Sequence, residues 1–288
     1  MKRKLLQILL WLGAMSVLTV IAMGAWMIIW GGSQSTESLK WLQFIQTTAT
    51  FLIPPILCAW LWEENHKPFR WLRMDVPVQW QNILLAVVIM VCAVPGINLL
   101  ADLNSRVELP KSLEFIEQIL KSQEEAAAAL TERFLQADNI GGLLINIGLM
   151  ALLPALSEEL SFRGTLQQII SKDQSGKAQS TKVHLAVWIT AFIFSAIHMQ
   201  FYGFVPRMLL GAMFGYVFVW SGSLWVPITM HFVNNGLAVL VYYLMGESEN
   251  TKNIADTLGA GDTWYLGVVS ILITSLGLLI FYRRTHKQ

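Results

Sequence analysis

The sequence predicts an all-α, polytopic membrane protein, a bundle of about eight transmembrane helices around an intramembrane cavity. Of its 288 residues, 55% are hydrophobic and only 14% are charged, whereas a soluble domain carries about a quarter charged residues. Apolar stretches of roughly 20 residues, the length that one helix needs to cross a bilayer, recur along the chain. Several of the twelve tryptophans lie at the ends of these stretches, where the headgroup region favours the indole ring.

The predicted spans follow one another along the chain, each bounded by charged or turn residues. They cover approximately residues 5–30, 41–62, 83–100, 142 to beyond 158, 183–198, 204–220, 224–245 and 264–282. The first span follows a basic start and is too long for the apolar part of a secretory signal, which has about 7 to 15 residues. We therefore interpret it as a retained transmembrane helix.

The distribution of charge predicts the orientation. Spans two, four and eight are followed by basic residues, namely Lys67, Arg70, Arg73, Lys172, Lys177, Lys182, Arg283, Arg284 and Lys287. Cytoplasmic loops are enriched in Lys and Arg, so both termini are predicted to be cytoplasmic. Segments 101–138 and 246–262 are richer in Asp and Glu and fall on the other side. Within the first of these segments, residues 111–136 predict either an amphipathic helix on or over the bundle or a solvated loop helix.

Composition also limits the partners. The net charge of +1 and the lack of a basic patch argue against a nucleic-acid partner and leave membrane lipid as the expected one. Cys58 and Cys92 both lie in apolar runs, which predicts buried thiols that act as small hydrophobic side chains rather than a disulfide or a metal site.

Polar residues inside the fourth span are the first functional candidates, because an ionisable group in a membrane is costly unless it is paired or hydrated. Glu159 and Arg163 are four residues apart and share one helix face, whereas Glu158 is rotated by roughly 100°. We expect Glu159 to pair with Arg163 and to leave Glu158 free for chemistry. In the alternative interpretation, the three charges only mark a helix end at the membrane surface.

The fifth and seventh spans carry further polar side chains. His198 follows Phe194 by four residues, and Asn235 follows His231 by four, so each pair shares a helix face. A histidine at a helix end is also typical of an interface residue, and this alternative stays open for His198. Together, a carboxylate, two imidazoles and an amide can activate water and stabilise an oxyanion.

These three patterns, Glu-Glu-x-x-x-Arg, Phe-x-x-x-His and His-x-x-x-Asn, resemble the signature of the CAAX protease and bacteriocin-processing (CPBP, Abi) family of intramembrane proteases. The resemblance covers residues 142–245 as a protease core. It leaves 1–141 as three spans plus the amphipathic segment, and 246–288 as a loop and the last span. Arg207, Gly211 and Gly215 also resemble the family's helix between the second and third motifs, and the glycine pair suits close helix packing.

The resemblance implies an intramembrane endopeptidase in which Glu158 and His198 activate the attacking water. His231 and Asn235 then hold the oxyanion, with Glu159 and Arg163 in support. A buried carboxylate can accept and return a proton, and a neutral imidazole and an amide can donate hydrogen bonds without adding charge. A peptide or protein is the implied substrate, and a prenylated C-terminus, a leader peptide and a membrane-bound regulator all suit an amphiphilic cavity.

A metal-dependent alternative uses the same residues differently. Glu158, His198 and His231 supply two imidazoles and a carboxylate, the ligand count of a catalytic zinc site, with Glu159 as the base. The sequence contains no His-Glu-x-x-His helix, so we favour the mechanism without a cofactor. Counting 1.5 Å per residue also places Glu158 and His231 toward the cytoplasm and His198 toward the opposite end. The three residues can meet if the fifth helix begins well outside the membrane or if the connection 199–203 is sunk into the bundle.

Two other classes of function stay open. In a proton-coupled secondary transporter, the same Glu and His residues would form a proton relay. The chain shows no matching halves with interrupted helices, which are typical of transporter sites. In a non-catalytic immunity or scaffold protein, the motifs would serve binding alone.

Overall fold

A computed structural model of the protein describes residues 2–172, 180–245 and 258–286. Lys177, Lys287 and residues 246–257 of the acidic C-terminal segment, on which part of the predicted orientation rests, lie outside the described residues. The helices are, in chain order, α1 Lys2–Trp30, α2 Thr36–Thr47, α3 Ile53–Trp62, α4 Pro68–Trp71, α5 Trp80–Ser105, α6 Glu114–Leu135, α7 Ile140–Asn146, α8 Leu153–Ser161, α9 Gln168–Ser171, α10 Ser180–Ala196, α11 Phe204–Ser221, α12 Trp225–Met245 and α13 Trp264–Thr285.

Three π-helical turns join some of these helices into longer ones. Thr48–Leu52 joins α2 to α3, Ile147–Leu152 joins α7 to α8, and Phe162–Gln167 joins α8 to α9. The first two turns lie directly before prolines, which lack an N–H donor and clash with the carbonyl four residues earlier, so a widened turn accommodates them. The third turn contains no proline.

Seven helical segments of the described chain are long and apolar enough to cross a membrane, which confirms the predicted all-α polytopic bundle. They are Arg3–Trp30, Thr36–Trp62, Trp80–Ser105, Ile140–Ser171, Phe204–Ser221, Trp225–Met245 and Gly261–Thr285. The predicted fifth span is shorter than expected. It corresponds to the 17-residue helix α10, which ends at Ala196 rather than at His198.

The chain leaves α10 early because a tight turn follows and is tied to neighbouring helices. The Ser195 hydroxyl donates to the carbonyl of Phe204 at 2.7 Å. From α5, the Asn104 side chain donates to the carbonyl of Phe201 at 3.0 Å and accepts from the N–H of Val205 at 3.1 Å. The connection between α10 and α11 is therefore held against the bundle by polar contacts, which hydropathy does not reveal.

Close packing through glycine joins α5 to α13. A Cβ atom at Gly267 would lie 2.6 Å from the Cβ of Leu99, and one at Gly277 would lie 2.8 Å from Ile89. The Ser270 hydroxyl donates to the carbonyl of Cys92 at 2.5 Å and accepts from the N–H of Gly96 at 2.9 Å. This hydroxyl inserts into the helix ladder beside Pro95, the usual place for a break in the backbone hydrogen bonds.

The predicted glycine contact of α11 is confirmed. A Cβ atom at Gly211 would lie 3.2 Å from Ala191 of α10, and one at Gly215 would lie 3.0 Å from Val187 of α10. Because both glycines lack a side chain, α10 and α11 approach closely, and the backbone carbonyls of α11 are open to side chains from the central helix.

Helices α1 and α6 lie at the periphery. In α1, only 11% of the most apolar 18-residue stretch is buried, although Trp26 reaches inward and donates to Ser38. The amphipathic segment is a helix, as predicted. Its Glu124 carboxylate accepts a hydrogen bond from the N–H of Tyr202 at 3.1 Å, which places α6 over the turn between α10 and α11. Of the two cysteines predicted to be buried, Cys58 is buried and Cys92 is half-buried.

Candidate active site

The site is built on the continuous helical segment Ile140–Ser171. Its α8 supplies Glu158 and Glu159, and the following π-helical turn supplies Arg163. The side chains of Glu159 and Arg163 are fully buried. This burial is incompatible with the alternative in which these charges only mark a helix end at the membrane surface.

The predicted ion pair between Glu159 and Arg163 is present. Arg163 Nη1 donates to Glu159 Oε1 at 2.7 Å, and Nη2 donates to the carbonyl of Gly211 at 2.8 Å. The guanidinium carbon also lies 4.7 Å from the ring centre of Phe194 and 5.4 Å from that of Phe214. Carboxylate, carbonyl and two aromatic rings thus surround a cation that would be costly to bury alone.

His231 joins this cluster through Glu159, a contact that sequence spacing did not suggest. Its Nδ1 lies 2.9 Å from Glu159 Oε1, and its Nε2 lies 3.9 Å from Glu158 Oε2. The ring stacks on Phe214 with centres 5.3 Å apart. An ionised carboxylate only accepts hydrogen bonds, so we assign the proton to Nδ1. The nitrogen directed at Glu158 is then Nε2.

This tautomer changes one sequence-based expectation. A neutral ring that donates from Nδ1 has a lone pair on Nε2, so it cannot also donate from Nε2. His231 can therefore donate a hydrogen bond toward Glu158 and the space around it only when both ring nitrogens carry protons.

Glu158 differs from its neighbour in accessibility. Its side chain is 15% exposed, whereas that of Glu159 is 0% exposed. Glu159 contacts both Arg163 and His231, whereas the one polar side-chain contact of Glu158 within the described residues is the longer one with His231. The expectation that the ion pair leaves Glu158 free agrees with this arrangement.

His198 lies in the turn after α10, and its Nδ1 is 2.8 Å from the carbonyl of Phe194. The Phe194 ring lies 5.2 Å from the His198 ring and 6.1 Å from the His231 ring, centre to centre. Both histidines therefore contact the same aromatic side chain. The two histidines meet because the turn after α10 is packed against the bundle, which is one of the two arrangements considered from the sequence.

Asn235 lies one helical turn beyond His231 in α12. Its Nδ2 donates to the carbonyl of Met150 at 3.3 Å, and its Oδ1 accepts from Asn234 at 3.0 Å. Met150 is four residues before Pro154, whose nitrogen has no proton to donate to that carbonyl. The amide is thereby fixed beside the π-helical turn of the same helical segment that carries Glu158.

The zinc ligand set considered from the sequence consists of Glu158, His198 and His231. Within the described ranges, no three His, Cys, Asp or Glu side chains are placed to hold one metal ion. The Nδ1 atoms of His198 and His231 are directed at the Phe194 carbonyl and at Glu159, so Nε2 is the nitrogen of each ring that is left for a further partner.

Arg207 is a charged neighbour whose role the sequence did not reveal. It lies in the first turn of α11, and its Nη2 donates to Gln200 Oε1 at 2.5 Å. It interacts electrostatically with Glu158 and with Glu124 of α6. The site therefore extends from the central helix toward the helix that covers the turn.

Comparison with known proteins identifies the part of the chain that carries this site. Residues 140–237 match the family described as type II CAAX prenyl endopeptidase, Rce1-like. These residues are an Rce1-like domain. The predicted family is thus confirmed, and the domain contains all four residues that the resemblance implicates in catalysis. The Rce1-like domain and seven span-length helices together indicate an integral membrane protein.

A curated relative gives a further but shorter match. The uncharacterized protein YpbD of Bacillus subtilis (strain 168) is 30% identical over 88 residues, which are 29% of this chain and 39% of that protein. The match thus spans about two fifths of that relative. No solved structure matches the chain.

Proposed function

We propose that the protein is an intramembrane endopeptidase in which Glu158 and His198 activate water while His231 and Asn235 bind the oxyanion. The observation that carries this proposal is the placement of His231, which is held by the buried Glu159 with its Nε2 directed at the accessible Glu158. Membership of residues 140–237 in a family of endopeptidases supports the same chemistry.

Water activation follows from the two groups that keep an accessible acceptor. If His198 donates from Nδ1 to the Phe194 carbonyl, its Nε2 has a lone pair that can orient a water molecule. Glu158 accepts a proton as the water oxygen bonds to the peptide carbonyl carbon. It returns that proton to the amine as the C–N bond breaks, so one carboxyl group serves first as base and then as acid.

The negative oxygen of the tetrahedral intermediate needs donors already in place. We assign this role to Nε2–H of doubly protonated His231 and to Nδ2–H of Asn235. Glu159 provides the counter-charge for the imidazolium, and Phe214 restricts the ring. Removal of one such donor typically lowers kcat by about 100- to 1,000-fold.

The proposed substrate is a peptide or protein segment that reaches the site in or near the membrane. The matched family is described as CAAX prenyl endopeptidase, so a lipidated C-terminus is one substrate class to assay. Unmodified leader peptides and membrane-bound proteins form the other assay classes.

The test is cleavage of a peptide set by purified protein in proteoliposomes. We expect Glu158→Gln and His198→Gln to lower kcat by about 100- to 10,000-fold, the range for loss of a general acid or base. Their thermal unfolding should match that of wild type. Glu64→Gln removes an exposed carboxylate and serves as the control. Normal turnover by both site variants contradicts the proposal, and a Glu158-dependent proton-coupled flux without cleavage favours the transporter alternative.

Metal removal tests the mechanism separately. Protein treated with a chelator and shown to be metal-free should keep its full activity, since the proposed steps use only side chains. Loss of activity that returns with zinc would contradict the mechanism while leaving the endopeptidase proposal intact.

A further inference from the structure

Arg207 is held in an unusual position at the start of α11. Its guanidinium folds back over Gly203, where a Cβ atom would lie 2.9 Å from Nη2. Gln200 fixes the same nitrogen through its side-chain oxygen at 2.5 Å. The turn between α10 and α11 thus supplies both the space and the acceptor that orient this side chain.

A second nitrogen of the guanidinium, Nη1, differs from Nη2 in its contacts. Arg207 Nη1 is buried, and within the described chain it has no hydrogen-bond partner. The same described ranges contain no carboxylate oxygen within 4.0 Å of Arg207. A buried donor on a cation is costly to leave unpaired, and arginine inside a membrane protein is usually paired or functional.

Two carboxylates interact with Arg207 electrostatically from different elements. Glu158 belongs to the proposed catalytic site, and Glu124 belongs to α6 and accepts a hydrogen bond from Tyr202. The cation is therefore within electrostatic range of both the proposed catalytic acid and the covering helix. A ligand that reaches Arg207 also reaches the neighbourhood of Glu158.

We infer that Arg207 binds a carboxylate of the peptide substrate, in competition with Glu124. This inference rests on the proposed endopeptidase function and deepens it by naming a substrate feature. A guanidinium presents paired N–H donors that match the two oxygens of a carboxylate. Nη1 supplies the free donor, and the C-terminal carboxylate and an Asp or Glu side chain are two sources of the same chemistry.

The experiment uses one apolar octapeptide, labelled at its N-terminus, in three forms: a free C-terminal acid, a C-terminal amide, and an amide with one internal Asp. We expect wild type to show a lower KM for a carboxylate-bearing form than for the plain amide. Arg207→Gln should raise the KM for the carboxylate-bearing form by about 10- to 100-fold, which is the effect expected from loss of a hydrogen bond to a charged group. The readout is the ratio of the KM for the plain amide to the KM for the carboxylate-bearing form, which should fall toward one in Arg207→Gln because any effect through Glu158 acts on all three forms alike.

A second variant should have the opposite effect. Glu124→Gln keeps an oxygen that can accept from Tyr202 but removes the competing charge, so it should lower the KM for the carboxylate-bearing form several-fold. Arg106→Gln is the matched control because it removes an exposed arginine that pairs with Asp102 in α5. It should change neither KM.

The outcomes separate this inference from the proposed function. If Arg207→Gln raises KM equally for acid and amide, or if Glu124→Gln does not favour the acid, the inference is overturned. If Arg207→Gln does not fold, Arg207→Lys can be used instead, because it replaces the paired N–H donors of the guanidinium with a single ammonium group. It should raise the KM for the carboxylate-bearing peptide selectively, but by a smaller factor. Equilibrium binding of the three labelled peptides to Glu158→Gln protein gives a readout that does not depend on cleavage. Equal affinity for acid, Asp-bearing amide and plain amide there overturns the inference even where catalysis is confirmed.

Discussion

The α5–α13 pair and the motif helices are both packed within a membrane bundle, but different groups hold them. Between α5 and α13 the contacts are glycines such as Gly267 and one inserted hydroxyl, Ser270. In the motif region, a fully buried arginine is surrounded by a carboxylate, a carbonyl and aromatic rings. Helices α5 and α13 are held together by close approach of their backbones, whereas the motif helices contain a network of charges.

The difference indicates what each region contributes. Helices in lipid associate through close van der Waals packing and a few hydrogen bonds, without buried charge. The attraction within a buried ion pair must first offset the loss of hydration of both charges. Variants in which apolar residues replace such a pair are often as stable as the original protein. The α5–α13 pair shows that this fold can be packed without ions, so the cluster of Glu159, Arg163 and His231 is better explained by its chemistry than by stability.

The largest effect on the free energy of unfolding is expected from a substitution that breaks the charged cluster. Glu159→Gln leaves Arg163 without its counter-ion and should lower the free energy of unfolding by about 3–5 kcal/mol. The double variant Glu159→Gln with Arg163→Met removes both charges and should recover most of that loss. It should nevertheless remain at least about 100-fold less active, because His231 no longer has its counter-charge. Thermal unfolding in detergent and peptide cleavage measure the two effects separately.

Full activity in the double variant would contradict the functional role of the cluster. A double variant as unstable as the single one would mean that the charged cluster stabilises the fold, as the contacts between α5 and α13 do. The two regions would then not differ in their roles.

An intermediate effect is expected at the glycine contact. Gly267→Val places side-chain atoms against Leu99 and the carbonyl of Gly259, which lie 2.6 Å and 2.5 Å from a Cβ atom. Such overpacking should cost about 1–3 kcal/mol of unfolding free energy. The kcat of the folded fraction should be unchanged, because the contact lies outside the charged cluster.

A glycine in open space provides the matched control for that variant. Gly13 of α1 has no atom within 4 Å of its Cβ position, so Gly13→Ala should be neutral or slightly stabilising, as expected for alanine in a helix. If Gly267→Val instead abolishes kcat in the folded fraction, the two regions are coupled and their separation into packing and chemistry is wrong.

The smallest effect concerns the inserted hydroxyl. Ser270→Ala removes the hydrogen bonds to the Cys92 carbonyl and the Gly96 N–H. An interhelical hydrogen bond in a membrane protein contributes on the order of 1 kcal/mol, so thermal unfolding should shift only slightly and cleavage should be unaffected. A loss comparable to that of Glu159→Gln would show that polar contacts, rather than glycine packing, hold α5 to α13.

Much of the fold could be predicted because its signals are local. Apolar runs located the seven span-length helices, and the spacing of Glu159 and Arg163 predicted their ion pair. The length of α10 could not be predicted, since it depends on hydrogen bonds from Ser195 and from Asn104 to residues far away in the bundle. Hydropathy measures each residue's preference for lipid and carries no information about such partners.

The sequence by itself determined the all-α membrane architecture, the family of residues 140–237 and the identity of the polar side chains within it. Only the tertiary structure decided how those side chains are connected. It placed the Glu159 carboxylate next to His231 Nδ1 and brought His198 and His231 to the same phenylalanine. Among the described residues, it left Arg207 Nη1 without a hydrogen-bond partner. Periodicity along one helix specifies which residues share a face, whereas the partner that faces them is set by the packing of separate helices.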